Sequence, residues 1–111
     1  MLIGAGVPVY VAAEAIDMRK SIDGLAAWVQ ESLPVSPLSG GLFVFFNRGR
    51  DKVKLLWWDR HGFWLMYKRL ERGRFRLPAV QQLTLTELTL VLEGIDLSVR
   101  RFKTVACQRI A

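Results

Sequence analysis

The chain is poor in the residues that build covalent cross-links and metal sites. It has one cysteine, Cys107, and one histidine, His61, among its 111 residues. A single thiol excludes a disulfide within the chain. Without a CxxC pair or a second histidine, one copy cannot assemble a structural zinc site. We therefore expect no metal, no cofactor and a reducing compartment, the cytoplasm.

Long apolar runs are also absent. The longest uncharged stretch, residues 32–47, contains Pro34, Pro37 and two glycines, so it is not a membrane span. No basic residue precedes the apolar run near the N-terminus, and we expect no signal peptide. With 51% hydrophobic residues, the composition is that of a globular protein. The length predicts one domain, which we place at residues 1–97, followed by a basic tail or short helix at 98–111.

Acidic residues are scarce in the middle of the chain. The stretch from Arg48 to Arg76 holds three acids and ten of the sixteen lysines and arginines, interleaved with large aromatic residues. The whole chain carries a net charge of +6, so the rest of it is close to neutral. A folded surface of one sign attracts polyanions, of which nucleic acid is the most common.

Catalytic groups are not grouped in the sequence. Asp51 and Asp59 flank one predicted strand and lie eight residues apart, about 26 Å by strand rise, too far to share a metal ion. His61 falls in a predicted turn, and Cys107 has no base near it in sequence. Gly4-Ala5-Gly6 lacks the remainder of a phosphate-binding loop. We predict no catalytic residues and no enzymatic activity.

The hydrophobic periodicity predicts an α+β fold, an antiparallel β-meander of four to five strands packed with two or three helices. Strands are predicted at 7–13, 42–46, 52–58 and 63–70, with a short edge strand at 74–77. The apolar run 42–46 is typical of a central strand that is covered on both faces. Asp17 is the predicted N-cap of a helix over 18–32. Thr84 and Glu87 form a capping-box pattern at the start of a helix over 85–93, with Gly94 just after its end.

The predicted strands display cations in regular patterns. Lys52 and Lys54 share a strand face with Trp58, and such a face can hold a phosphate and stack a base. Arginines at 72, 74 and 76 lie about 6.6 Å apart along a strand, close to the spacing of successive phosphates. Edge-strand charges that prevent aggregation explain the same row, and the aromatic residues between 57 and 67 are more typical of a core.

A second cationic signal lies at the predicted first helix. Arg19 and Lys20 fall in its first turn, where cations oppose the helix macrodipole and indicate an anion site. Pairing with Glu14 or Asp23 explains them equally well. The complete set of predicted nucleic-acid-binding residues is Arg19, Lys20, Arg48, Arg50, Lys52, Lys54, Lys68, Arg69, Arg72, Arg74 and Arg76.

Several blocks of the sequence resemble one family. The runs are VYVAAEAIDMRKSIDGLAAWVQ, SGGLFVFFNRGRDKVKLLWWDRHGFWLMYKRLERGRFRLP and LTLTELTLVLEGID, within which DMRKSIDGL and FWLMYKRLERGRF are the most specific. The chain resembles the small TnpB accessory proteins of insertion-sequence-sixty-six-type bacterial transposons, which are distinct from the RNA-guided nuclease of the same name. Ser21 stands where glycine is common in that family. The resemblance implies a role in transposition beside the transposase, and it brings no established catalytic site.

Two functional hypotheses follow. In the first, the chain is a DNA-binding accessory factor that holds the element ends or target DNA on its basic strands. In the second, it is an interaction subunit that stabilises or positions the transposase of the same element. The second hypothesis depends on the last helix, whose apolar residues cover most of its circumference and call for additional cover. A homodimer supplies that cover equally well.

Overall fold

The computed structural model describes residues 3–4, 6–77 and 81–94. Its elements are β1 (Val9–Val11), α1 (Ile22–Ser32), β2 (Leu42–Phe46), β3 (Lys52–Trp58), β4 (Phe63–Arg69), β5 (Gln82–Leu83) and α2 (Leu85–Leu92). The strands form one sheet in the order β4-β3-β2-β1-β5. The α+β class is confirmed, and β2, β3 and β4 form the predicted antiparallel meander. Since β1 runs parallel to β2, the whole sheet is mixed.

The central strand β2 is covered on both faces, as its continuous apolar sequence predicts. All five of its residues are buried. On one face, Leu42, Val44 and Phe46 join Leu88 and Val91 of α2 in one hydrophobic cluster. On the other face, alternate residues of the sheet pack with α1 in a second cluster, which contains Phe43, Phe45, Leu56, Leu25 and Val29. The sheet therefore lies between the two helices.

Helix α1 begins at Ile22, four residues after the predicted start, and Asp17 is not its cap. Asp17 closes a turn instead: its carbonyl accepts from the Lys20 amide at 3.1 Å and its carboxylate from the Arg19 amide at 2.9 Å. The carbonyls of Met18 and Lys20 accept hydrogen bonds from a lysine side chain of β3. Arg19 and Lys20 therefore precede the helix, and the prediction that they lie in its first turn is wrong.

The predicted edge strand at 74–77 is also wrong. Gly73 adopts a left-handed φ of +77°, and the Phe75 amide donates to the Arg50 carbonyl at 2.6 Å, so the segment is tied to a turn. In a strand, Leu77 would share a face with the buried Phe75, but it is 38% exposed. The sheet is completed by β5, which pairs antiparallel with β1 and was not predicted.

Helix α2 begins with the predicted capping box. The Thr84 hydroxyl accepts from the Glu87 amide at 3.1 Å, and the Glu87 carboxylate accepts from the Thr84 amide at 3.0 Å. Gly94 has the expected left-handed φ of +85° after the helix. Leu85, Leu90 and Leu92 are half-buried. Cys107 and the predicted tail at 98–111 lie outside the described residues.

Neither helix in the described part of the chain has the length and hydrophobicity that a membrane crossing requires.

Candidate nucleic-acid interface

Four segments meet at the end of the sheet where β2 leads into β3. They are residues 15–20 before α1, the turn 47–51, the end of β4 and residues 70–77. The Ile16 amide donates to the Phe46 carbonyl at 2.9 Å, and the Leu70 amide donates to the Asp51 carbonyl at 2.7 Å. Lys52 and Arg69 are cross-strand neighbours there. We call these four segments, with Lys52, the basic end.

The turn 47–51 is fixed by the side chain of Asn47. Its Oδ1 accepts from the amides of Asp51 and Lys52 at 3.1 and 3.0 Å, and its Nδ2 donates to Asp51 Oδ1 at 2.7 Å. The hydrogen bond from Asn47 lowers the pKa of the Asp51 carboxyl, opposed by desolvation. Arg50 has a left-handed φ of +59° within this turn. The backbone that carries Arg48 and Arg50 is therefore held by several hydrogen bonds.

Phe75 anchors the segment 70–77 to the same end. It is 1% exposed, and its ring packs edge-on against Phe46 with the centroids 5.4 Å apart. The arginines around it, at 72, 74 and 76, are all exposed. Arg50, Arg74 and Arg76 line an open cleft of about 580 Å³. Arg72, Arg74 and Arg76 are thus exposed as predicted, although they do not have the regular spacing of residues in a strand.

Acidic side chains compensate only some of these cations. Arg19 pairs with Asp17 at 2.6 Å, Arg69 with Glu71 at 2.8 Å and Lys52 with Asp51 at 3.6 Å. The hydrogen bonds that the Arg69 guanidinium donates lower the pKa of the Glu71 carboxyl. Within the described residues, no carboxylate oxygen lies within 4.0 Å of four exposed arginines. These are Arg48, Arg50, Arg72 and Arg74, and they concentrate uncompensated charge at the basic end.

Two lysines of the predicted set have contacts inside the fold. Lys54 is 7% exposed, and its Nζ donates to the carbonyls of Met18 and Lys20, each at 2.7 Å. The structure does not support a DNA contact by Lys54, because its ammonium is already satisfied and covered. Lys68 is exposed and donates to the Leu92 carbonyl at 3.0 Å, at the C-terminus of α2, where a cation is favoured.

The sequence pattern did not indicate that two aromatic residues of β4 are exposed. Tyr67 is 54% exposed and Trp64 is 44% exposed, although both were assigned to the core. Trp64 lies at the other end of β4, and its Nε1 donates to Asp59 Oδ2 at 2.8 Å. Tyr67 lies at the basic end and lines a cleft of about 610 Å³ together with Arg19, Arg48 and Lys52. Because β4 is the edge of the described sheet, its side chains have cover from one neighbouring strand alone.

The described residues contain no group of three or more side chains that could ligate a metal ion.

The sequence comparisons identify the family. The family described as IS66 Orf2-like protein matches residues 7–102. The chain belongs to this family. The resemblance drawn from the sequence blocks is confirmed, and membership indicates an accessory role in transposition.

Two relatives of this IS66 Orf2-like chain come from Sinorhizobium fredii (strain NBRC 101917 / NGR234). The uncharacterized protein y4hO is 40% identical over 97 residues, which cover 84% of each chain. The uncharacterized protein y4jC is 34% identical over 95 residues, which cover 82% of this chain and 81% of the relative. No solved structure matches the chain.

Proposed function

We propose that this IS66 Orf2-like protein is a non-catalytic accessory factor that binds DNA, at the element ends or the target, through the basic end. One observation carries the proposal: four exposed arginines, which have no acidic partner among the described residues, are gathered there from two separate segments. The hydrogen bonds of Asn47 and the buried ring of Phe75 fix the backbone beneath them.

Arginine on a fixed backbone suits phosphate recognition. The guanidinium presents a planar set of donors that binds phosphate oxygens in pairs. Since the backbone is already ordered, binding costs less conformational entropy than it would from a mobile tail. Six candidates for phosphate contact lie at the basic end: Arg48, Arg50, Lys52, Arg72, Arg74 and Arg76. Six contacts to duplex DNA predict a slope of about −5 in a plot of log affinity against log salt concentration.

The test is a salt series of DNA-binding measurements by fluorescence anisotropy, with variants matched in charge. Arg74→Gln removes a cation from the basic end. Arg60→Gln removes an exposed cation from the hairpin turn at the opposite end of β3. We expect Arg74→Gln to weaken binding and to make the salt slope shallower by about 0.9, while Arg60→Gln changes neither. No binding by the wild type at low salt, or equal effects of the two variants, would overturn the proposal.

A second candidate function, contact with the transposase or with another copy of the chain, is favoured by strand β4. In the described part of the chain, β4 has β3 as its one neighbouring strand, and it exposes Trp64 beside that edge. An exposed strand edge is a template for pairing with another chain. If two copies pair antiparallel about Met66, Lys68 of one copy lies opposite Trp64 of the other, an arrangement without like charges face to face.

The second function is tested by co-purification of the transposase of the same element and by light scattering for self-association. Trp64→Glu is expected to abolish whichever association the wild type shows, and Arg60→Gln to preserve it. A wild type that stays monomeric and retains no transposase would rule this function out.

A further inference from the structure

Tyr67 is the exposed ring that lies among cations. On the same face of β3 and β4, Lys54 lies directly across from Tyr67. The next pair on that face, two residues along each strand, is Lys52 and Arg69. The cleft of about 610 Å³ on which it borders is also lined by Arg19 and Arg48. A smaller concavity of about 280 Å³ is formed by Tyr67, Arg69 and Glu71. The ring therefore borders two openings, both with basic side chains in their walls.

Lys54 holds this ring from within the fold. Its Nζ lies 4.9 Å from the ring centroid, within the range of a cation–π contact. The same Nζ is fixed by the carbonyls of Met18 and Lys20. An ammonium held in this way stabilises one orientation of the ring and leaves 54% of the residue exposed. The ring is thereby presented to solvent in a defined position beside the arginines.

An exposed ring flanked by cations has the chemistry of a nucleotide site. Aromatic side chains stack on bases without regard to sequence, and nearby cations hold the backbone phosphates. Inside a duplex both faces of each base are occupied by neighbouring bases, so a protein ring stacks most readily on the unstacked bases of a single strand. A volume of about 610 Å³ lies within the range of sites that hold small ligands.

We propose that this cleft binds an unpaired nucleotide of single-stranded DNA, with its base stacked on Tyr67 and its phosphate against Arg48 and Lys52. The inference rests on the proposed DNA-binding function and specifies its substrate, DNA with exposed bases, such as an opened or cleaved element end. It predicts that single strands bind more tightly than duplexes of the same sequence, because a duplex engages the arginines without the ring.

The test compares three probes of equal length: a single strand, its duplex, and a single strand with abasic sites in place of its nucleosides. Each is titrated against the wild type, Tyr67→Leu and Tyr67→Phe. Trp64→Leu serves as the matched control, because it removes a ring of similar exposure from the other end of the same strand. All variants are compared at protein concentrations at which light scattering shows the wild type to be monomeric, so that a change in self-association does not enter the comparison. Circular dichroism and thermal unfolding establish that each variant is folded.

We expect Tyr67→Leu to bind the single strand about tenfold more weakly, Tyr67→Phe to bind as the wild type does, and neither to change duplex binding. The abasic strand should bind the wild type and Tyr67→Leu equally. Photocrosslinking of an iodinated pyrimidine strand should label the peptide that contains Tyr67.

Failure of the stacking site and failure of the proposed function give different results. If the wild type binds single strand and duplex alike and Tyr67→Leu changes neither, while Arg74→Gln weakens both, the stacking site is refuted and the proposed DNA binding stands. If Trp64→Leu matches Tyr67→Leu, the ring acts through general surface hydrophobicity and the site is refuted. Absence of all DNA binding at low salt refutes the site and the proposed function together. If Tyr67→Leu is the one variant that misfolds, the test is decided by the wild type, through its binding of the abasic probe and its photocrosslink.

Discussion

The Nζ atom of Lys54 lies 4.9 Å from the centroid of the Tyr67 ring and donates to the Met18 carbonyl at 2.7 Å. One buried ammonium thus connects strand β3, the exposed ring of the edge strand β4 and the turn that precedes α1. Lys54 was predicted to bind phosphate because it lies in a basic strand. Its ammonium instead stabilises the fold from within. The cations that we propose for DNA contact lie at the basic end.

Lys54→Met should destabilise the fold strongly. The substitution preserves most of the apolar stem but leaves the carbonyls of Met18 and Lys20 without their donor. We expect the free energy of unfolding to fall by about 2–4 kcal/mol, as for loss of charged hydrogen bonds at a buried site. Urea denaturation measures the change. Lys52→Met is the control, because its ion pair with Asp51 is long at 3.6 Å and partly exposed. Equal effects of the two substitutions would contradict the role we give to Lys54.

Phe75→Ala should destabilise the fold and release the arginine segment. Removal of a buried phenylalanine ring costs about 3–5 kcal/mol, and the segment 70–77 loses its packing against Phe46. Denaturation measures the first effect, and faster hydrogen exchange of the backbone amide at position 75 measures the second. Leu77→Ala changes an exposed neighbour in the same segment and should leave both quantities nearly unchanged. Retained protection of the backbone amide at position 75 in Phe75→Ala would show that backbone contacts alone hold the segment.

The parts of the fold that the sequence predicts are those with local causes. The strands 42–46 and 52–58 were predicted with their observed bounds, because hydrophobic runs between turn residues determine them. The capping box of α2 is equally local. The start of α1 does not have a local cause. The carbonyls of Met18 and Lys20 accept hydrogen bonds from Lys54, which lies 36 and 34 residues away from them in the sequence. The parallel pairing of β1 with β2 likewise depends on contacts that no local pattern records.

The basic end was only partly predictable for the same reason. Charge and turn chemistry located Arg48 and Arg50 correctly on an exposed turn. The position of residues 72–76 depends on the hydrogen bond between the Phe75 amide and the Arg50 carbonyl, a contact across 25 positions that periodicity cannot indicate. Tyr67 was assigned to the core because the alternation of side chains along a strand does not show where that strand lies in the sheet. The strand order places β4 at the edge of the described sheet.

Asp17→Asn should strengthen DNA binding. The substitution retains a side-chain oxygen for the Arg19 amide but removes the charge that compensates the Arg19 guanidinium. If Arg19 then contacts a phosphate, the salt slope becomes steeper by about 0.7–0.9. Glu31→Gln makes the same change in net charge in the last turn of α1 and controls for long-range attraction. Identical gains from both variants would show that net charge, rather than Arg19, determines the result.

The Asp17–Arg19 pair also predicts a specific acid titration. Hydrogen bonds from the Arg19 side chain and from the Arg19 backbone amide lower the pKa of Asp17 from 3.8 to about 2. A lowered pKa in the folded state means that this pair stabilises the fold fully above pH 3.8. The contribution is lost as the pH falls toward about 2, where the folded state takes up the proton.

Carboxyl NMR titration measures this pKa directly. Arg19→Gln should return the pKa of Asp17 toward 3.8 and leave the pKa of Glu71 lowered, because Glu71 depends on Arg69. Arg69→Gln should produce the reverse pattern. A wild-type Asp17 that titrates near 3.8 would mean that the ion pair does not form in solution. In that case Arg19 is already uncompensated, Asp17→Asn brings no new phosphate contact, and its gain in DNA affinity should equal that of Glu31→Gln.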